Sequence, residues 1–278
     1  MFQFIANIFG YLLEWLYNGI GQNYGIALIL FTIILRIILL PLTIKQQKSM
    51  KKTTELQGKM QEIQFKYKNN PELMNKEIMD LYKRENLSPF SGCISSIVQI
   101  LIILSVFYLV SRPLTYMKKI DPGIIENYRN EISAENDGKI SNYYEIEIIQ
   151  KKAAQDENIK VNMDFLGLDL SKVPSQNMTD IKVYIIPILY VISSIFSIKM
   201  TTGKTNKKDQ NGSSQPDMTQ QMNKSMSYMM PIMAVSIAFV APLGLALYWL
   251  ISNILMILER IVINKYVDSK EEKTLCLK

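Results

Sequence analysis

The stretch that decides the class of this protein is residues 24–44, YGIALILFTIILRIILLPLTI, which carries a single charged residue, Arg36. A helix needs about 20 predominantly apolar residues to cross the hydrocarbon core of a bilayer. The stretch therefore predicts a transmembrane helix with an arginine inside it. Four further apolar stretches follow, and all the other charged residues lie outside these five stretches. Such segregation of charge is typical of a polytopic membrane protein.

The composition excludes several classes of enzyme and metalloprotein. The 278 residues are 48% hydrophobic and 20% charged, with no histidine and only two cysteines, Cys93 and Cys276. A chain without histidine has neither the usual proton shuttle nor the commonest metal ligand. Two cysteines cannot supply a disulfide framework or a four-cysteine metal site. The sequence therefore predicts no catalytic residue, no metal and no cofactor, and a function other than that of an enzyme.

The N-terminal residues 1–23 predict an amphipathic helix that lies in the membrane interface. Apolar and aromatic side chains recur there at three- and four-residue spacing, as expected for one face of a helix. The residues of this face are Phe4, Ile8, Tyr11, Leu12, Trp15 and Leu16.

The predicted fold class is an all-α polytopic membrane protein with five transmembrane helices, a cytoplasmic helical hairpin and the N-terminal interfacial helix. After that helix, the predicted segments are transmembrane 1 at 24–44, a coiled-coil-like hairpin at 45–91, transmembrane 2 at 92–111, an extracytoplasmic segment at 112–181, transmembrane 3 at 182–198, a cytoplasmic loop at 199–227, transmembrane 4 at 228–241, transmembrane 5 at 243–262 and a cytoplasmic tail at 263–278.

The distribution of basic residues predicts the orientation in the membrane. Residues 45–88 contain ten Lys and Arg against six acids, and residues 199–228 contain five against two. Residues 112–180 contain nine basic residues against twelve acids. Because basic loops stay in the cytoplasm, the N-terminus is expected outside and the C-terminus inside.

The basic segment after the first span has the pattern of a helical hairpin. Leu56, Met60, Ile63 and Tyr67 share one helical face, as do Met74, Ile78, Leu81 and Tyr82 in the next run. Between the runs, Asn70 is suited to cap a helix and Pro71 to occupy its first position. Two interpretations are open: a structural loop that packs on itself, or a mobile basic arm that contacts partners or lipid headgroups.

Arg36 is the most informative residue of the chain. An arginine at the centre of a span costs about 2.5–3.5 kcal/mol on the scale derived from insertion experiments. The apolar cores of the predicted spans, taken as 24–44, 93–110, 183–198, 228–240 and 243–258, contain no other charge, so no acid is expected to neutralise it. The guanidinium is therefore expected either in a hydrated cavity open to the cytoplasm or snorkelling to the inner headgroups.

Polar side chains in several spans predict the walls of such a cavity. On the first span, Thr32 and Arg36 share a face with Thr43 and Gln47. The candidate site residues on the other spans are Gln99, Ser193, Ser197, Trp249 and Asn253, with Ser194, Ser236 and Ser252 nearby. The alternative is that each hydroxyl bonds to its own helix and helps helices associate.

Several motifs of the chain, in the same order, closely resemble the YidC/Oxa/Alb family of membrane protein insertases in its short Gram-positive-like form. The motifs are TIILRIILLPLTIKQQ at 32–47, LQGKMQEIQFKYKNNPE at 56–72, YKRENLSPFSGC at 82–93, FLGLDLSKVP at 165–174, MTQQMNKSMSYMMPIM at 218–233 and GLALYWLISN at 244–253. The resemblance implies a hydrophilic groove, closed toward the outside, whose arginine is Arg36 and whose aromatic residue in the last span is Trp249. Gly58 stands where the family often has proline, and Ser197 where glutamine is common.

The resemblance also implies a function. Hydrophobic segments of nascent membrane proteins would move along the groove into the bilayer of a bacterial plasma membrane. Nascent membrane proteins and lipid are the expected partners, the ribosome and the Sec translocon remain open as partners, and no direct recognition of nucleic acid is expected. Two other functions are left open: a secondary transporter of a small anion that uses Arg36, and a chaperone that does not insert its clients.

Overall fold

The computed structural model describes residues 2–85, 91–202, 233 and 236–275. Ten helices are labelled here: α1 Phe2–Gly19, α2 Tyr24–Glu55, α3 Gln57–Lys66, α4 Pro71–Arg84, α5 Ser91–Ser111, α6 Pro113–Tyr116, α7 Pro122–Glu135, α8 Tyr144–Lys152, α9 Ile185–Thr202 and α10 Leu243–Leu275. Residues 236–240 are also helical. Short 3-10 turns lie at Glu157–Ile159, Pro174–Gln176 and Ile181–Tyr184.

Within the described residues, three helical stretches are long and apolar enough to cross a membrane: Tyr24–Ser49, Ile181–Met200 and Leu243–Ile263. They correspond to predicted spans 1, 3 and 5, and a shorter apolar helix, Ile97–Ser111, lies in predicted span 2. Half of the predicted fourth span, 228–241, lies outside the described residues. The class of a helical, multi-pass membrane protein is therefore confirmed, and the number of five spans stays a prediction.

The first span and the hairpin are continuous with each other. Helix α2 continues through Pro41 to Glu55, beyond the predicted end of the span at residue 44. Helices α3 and α4 then lie side by side, joined by a hydrogen bond of 2.8 Å from Lys59 Nζ to Glu85 Oε1. The predicted N-cap of helix α4 is confirmed, since Asn70 Oδ1 accepts a hydrogen bond of 3.2 Å from the Leu73 amide.

Helix α1 packs against α5 and α2 rather than standing apart from them. Leu13, Leu16 and Tyr17 are buried on the packed side, whereas Phe4, Tyr11 and Trp15 are exposed on the other. The predicted apolar face was therefore partly wrong, because Leu16 belongs to the packed side. The helix is apolar on two sides, so spacing alone could not tell which side would meet the bundle.

Residues 112–180 fold into a compact structure, called the cap below. Helices α6, α7 and α8 are followed by strands β1 Asp164–Phe165 and β2 Leu168–Asp169, which pair antiparallel. Leu166 and Gly167 make the tight turn between the strands with positive φ angles of 55° and 76°. This small sheet is a departure from the all-α prediction, and it arises because Gly167 permits a two-residue turn.

The cap holds the ends of two of the long helices. The Asn162 carbonyl accepts a hydrogen bond of 3.0 Å from the Tyr24 amide at the start of α2. At the start of α10, the Leu243 and Gly244 amides each donate a bond of 2.9 Å to backbone carbonyls of the cap. The first amides of a helix lack partners within it, so these bonds satisfy helix ends while fixing the cap on the bundle.

A buried carboxylate lies at the centre of the cap. Glu145 is fully buried and accepts hydrogen bonds from Thr115, 2.9 Å from its amide and 2.6 Å from its hydroxyl. Burial raises the pKa of the Glu145 carboxyl, and the bonds from Thr115 oppose that rise. The contacts join α8 to the segment that follows α5, so they stabilise the cap from within.

Candidate functional site

The site is built around Arg36 of α2, which reaches across to α10. Its Nη2 atom donates hydrogen bonds to Ser252, 2.6 Å to the hydroxyl and 3.1 Å to the backbone carbonyl. Its Nη1 atom lies 3.7 Å from Oε2 of Glu259. Both charged side chains are largely buried, with 13% of the Arg36 and 12% of the Glu259 side chain exposed. The guanidinium therefore binds α2 to α10 through two points on one helix.

The expectation that Arg36 has no acidic partner was wrong. Helix α10 continues without a break past Leu258, where the apolar core of the span was predicted to end. Glu259 follows Ser252 by seven residues, which is about two helical turns and returns to the same face. This spacing was the signal in the sequence that could have identified Glu259 as a partner for an intramembrane arginine.

The residue after Ser252, Asn253, forms hydrogen bonds between α10 and α9. Asn253 Nδ2 donates hydrogen bonds to the Ser193 hydroxyl at 2.8 Å and the Ser194 hydroxyl at 3.3 Å. Trp249, one turn earlier, stands beside the ring of Tyr190 with centroids 6.4 Å apart. Adjacent residues of α10 therefore bind two different helices, and the polar contacts form a band from α2 across α10 to α9.

The remaining candidates occupy different surroundings. Thr32 is buried, and its hydroxyl donates to the Leu28 carbonyl of its own helix at 2.7 Å. Thr43 makes the same type of bond to the Leu39 carbonyl at 3.2 Å. Gln99 on α5 and Ser197 on α9 are half-buried. The site thus brings Arg36, Ser193, Trp249 and Asn253 into the band, while the two threonines bond to their own helix.

Burial changes sharply along α2 at Arg36. On the side toward the cap, Tyr24, Leu28 and Phe31 are almost completely buried. On the other side none of residues 37–48 is buried, and Ile37 and Ile38 are each 63% exposed. The guanidinium therefore lies at the boundary between a closely packed half of the bundle and a half with open sides.

The arrangement is suited to bind a carboxylate reversibly. A guanidinium has five N–H donors in a planar fork that matches a carboxylate. The distance to Glu259 exceeds the range of about 2.7–3.2 Å for an N–H···O hydrogen bond, so this acid leaves the fork incompletely used. Glu259 therefore compensates the charge of Arg36 without forming a tight bidentate ion pair with it.

Comparison with known proteins assigns the family. The family model described as 60Kd inner membrane protein matches residues 15–271, a range that includes both Arg36 and Glu259. The chain belongs to this family. The resemblance to the YidC/Oxa/Alb insertases that the motifs indicate is thereby confirmed.

Three relatives, each named membrane protein insertase YidC, define the extent of the similarity. The Treponema denticola protein is 30% identical over 261 residues, which are 94% of this chain and 37% of that protein. The Oceanobacillus iheyensis protein is 28% identical over 272 residues, 95% of this chain and 85% of that protein. The Clostridium perfringens protein is 44% identical over 91 residues.

These shares distinguish two sizes of protein among the relatives. The chain spans little more than a third of the length of the Treponema protein and of a Geobacter metallireducens relative, for which the share is 35%. It spans most of the Oceanobacillus protein. The short Gram-positive-like form expected from the motifs agrees with that second comparison.

Proposed function

We propose that the protein inserts hydrophobic segments of nascent membrane proteins into a bacterial plasma membrane. The observation that carries the proposal is the position of Arg36, inside an apolar span and at the boundary between packed and open halves of the bundle. The relatives named membrane protein insertase support the same function.

In this proposal a client enters from the open half of the bundle. Its hydrophobic segment slides along a groove formed by α2, α5, α9 and α10 into lipid, while its short polar flank occupies the space near Arg36. The proposed lining residues are Gln99, Ser193, Ser197, Trp249 and Asn253. Thr32, one helical turn from Arg36 toward the cap, is included with them. No covalent bond is made or broken in the client.

The electrostatic contribution of Arg36 is large enough to matter for a polar flank. Opposite charges about 4 Å apart attract by roughly 4 kcal/mol at an effective dielectric of about 20. An acidic flank loses favourable hydration free energy when it leaves water. Its attraction to the guanidinium would therefore compensate part of that loss. We infer that clients with acidic flanks depend on Arg36 most strongly.

The orientation is also part of the proposal. The α3–α4 hairpin and the C-terminal tail would lie in the cytoplasm, and the cap with the N-terminus outside. The basic residues of the hairpin would then face nascent chains in the cytoplasm. The ribosome is a candidate partner on that side, and the Sec translocon is a candidate partner within the membrane. The cap would keep the groove closed toward the outside.

The test is reconstitution of the purified protein in liposomes with a series of single-span clients. The translocated flank of each client carries zero, one or two aspartates. Wild-type protein should insert all members, Arg36→Lys should retain most activity because the positive charge remains, and Arg36→Ala should lose most for the flank with two acids. Uptake of a small anion without insertion would indicate a transporter, and client binding without insertion a chaperone.

Snorkelling of Arg36 predicts a different pattern. In that case Arg36→Ala would be tolerated or would stabilise the span, with no dependence on the charge of the flank. An equal loss for all clients would contradict the electrostatic mechanism while leaving the insertase function intact.

A further inference from the structure

Glu259 is held near Arg36 more loosely than a structural ion pair would be. The distance of 3.7 Å from Nη1 to Oε2 lies outside hydrogen-bond range. Among the described residues no hydrogen-bond donor reaches Oε2 of Glu259, although that oxygen is buried. A buried charged oxygen without a donor loses hydration that nothing replaces. The pair is therefore weaker than its burial suggests.

Ser252 fixes the guanidinium without help from Glu259. Both of its contacts with Arg36 go to Nη2, at 2.6 and 3.1 Å, whereas Glu259 faces Nη1. If the carboxylate of Glu259 moved away, Nη2 would still be held in place and Nη1 would be free for another carboxylate. Nη2 therefore positions the guanidinium, whereas Nη1 faces the compensating charge of Glu259.

Glu259 also lies where it can move aside. It immediately follows the apolar core 243–258 of α10, and the next residue is Arg260. A side chain at the end of an apolar run can rotate toward the polar side of the membrane, as basic residues do when they snorkel. Such a rotation requires no change in the backbone of α10.

We propose that Glu259 is a resident counter-ion that competes with client carboxylates for Arg36 and thereby sets the selectivity for acidic flanks. This inference rests on the proposed insertase function. In the empty site Glu259 compensates the intramembrane charge. A client with an acidic flank displaces it from Nη1, whereas a client with a neutral flank leaves the pair intact.

The experiment compares Glu259→Gln with wild type in the liposome assay, using flanks with zero, one and two aspartates. Glutamine keeps the shape of the side chain but removes the competing charge. The ratio of insertion of the two-aspartate client to that of the neutral client should rise about three-fold or more, and a ten-fold rise would correspond to about 1.4 kcal/mol. Adding Arg36→Ala to Glu259→Gln should abolish the rise.

Two further variants keep the test decisive. Glu259→Asp retains the charge on a side chain one methylene shorter, so the ratio should lie between wild type and Glu259→Gln even if the glutamine variant folds poorly. Glu126→Gln is the matched control, because it removes one acid from an exposed pair with Arg129 in the cap. The control should leave the ratio unchanged.

The outcomes separate this inference from the proposed function. If wild-type protein inserts no client, the proposed function fails. If wild-type protein inserts clients and Glu259→Gln changes all of them equally, Glu259 is only a structural partner of Arg36 and the inference is overturned. A ratio in Glu259→Asp below that of wild type would overturn it as well.

Discussion

The half of the bundle next to the cap and the half next to the α3–α4 hairpin differ in how closely α2 is packed. Next to the cap, Tyr24, Leu28 and Phe31 of α2 are at most 1% exposed, and Ala241, Leu243 and Ala246 are equally buried. Beyond Arg36 none of residues 37–48 of α2 is buried, although Ile257 and Ile263 of α10 are. The polar contacts of Arg36, Ser252 and Asn253 join α10 to α2 and α9. Close packing therefore contributes most in the half next to the cap, and polar contacts between helices contribute in the other half.

The difference follows from the physical chemistry of a bilayer. Lipid tails are as apolar as leucine, so helices in a membrane gain stability from close van der Waals contact and from hydrogen bonds between them. Small residues near the start of α10 allow that contact, as at Gly244, where an added Cβ would lie 3.4 Å from the Tyr24 ring. In the other half the sides of α2 are open, with Ile37 and Ile38 each 63% exposed.

The largest expected effect comes from a glycine in the packed half. An added Cβ at Gly10 would lie 1.9 Å from the Tyr116 carbonyl oxygen, so α1 must separate from α6 in Gly10→Ala. We expect a loss of about 3 kcal/mol in the free energy of unfolding, at the upper end of overpacking effects. Thermal unfolding in detergent measures it.

Gly58→Ala is the matched control in the hairpin. Apart from neighbouring residues of the same helix, no atom of the described residues lies within 4 Å of an added Cβ there, and alanine favours a helix over glycine by up to about 1 kcal/mol. The same substitution should therefore destabilise the packed half of the bundle at Gly10, and at Gly58 it should stabilise the hairpin or leave its stability unchanged. If both variants unfold at the same temperature, the contrast in packing is wrong.

The next effect comes from truncating a buried ring on the cap side. Phe31 is fully buried and meets the edge of Phe9 with ring centroids 5.5 Å apart. Phe31→Ala should lose about 2 kcal/mol, below the range for cores in water, because packing rather than transfer from water is lost. Ile38→Ala, at a position 63% exposed, should change stability by less than about 0.5 kcal/mol. If chemical denaturation shows comparable losses in the free energy of unfolding for Phe31→Ala and Ile38→Ala, the difference in packing between the two halves is wrong.

A smaller effect distinguishes the cap by its dependence on pH. Because burial raises the pKa of Glu145, the folded protein retains this proton to higher pH than the unfolded chain. The contribution of Glu145 to stability therefore decreases as pH rises from about 4.5 through the raised pKa. Glutamine does not titrate, so the stability of Glu145→Gln relative to wild type should rise across that pH interval. Above the raised pKa this difference in stability should stay constant.

Hydrogen exchange of the cap amides between about pH 4 and pH 8 would follow this difference. The matched control is Glu147→Gln, at a neighbouring position on α8 that pairs with Lys151 at 3.0 Å near the surface. A constant difference between Glu145→Gln and wild type over the whole range would contradict the assigned role of burial.

The smallest effect is expected in the polar band. Hydrogen bonds between membrane helices contribute about 0.6 kcal/mol on average. Asn253→Ala should lose about that amount, because its bonds to Ser193 and Ser194 on α9 disappear. In a double-mutant cycle, adding Ser193→Ala should cost little more, since the partner is already gone. Fully additive losses would mean that the bond contributes nothing.

Local patterns were sufficient to predict the helical elements near the site. The apolar run at 24–44 and the capping pair Asn70 and Pro71 depend on neighbouring residues, so periodicity and residue type identify them. The position of Arg36 inside a span was predicted for the same reason. The role of the cap was not, because residues 112–180 show neither a long apolar run nor a sustained helical period.

Taken alone, the amino-acid sequence determined the class of protein and the apolar helices that the structure describes, and it singled out Arg36 as the centre of the candidate site. Only the tertiary structure decided that Glu259 faces Arg36, that Leu16 packs inward and that Asn253 binds α9. The physical reason is that helix formation is a local property of the chain. Contacts between helices depend on how far each has rotated about its axis, which the packing of the whole bundle sets.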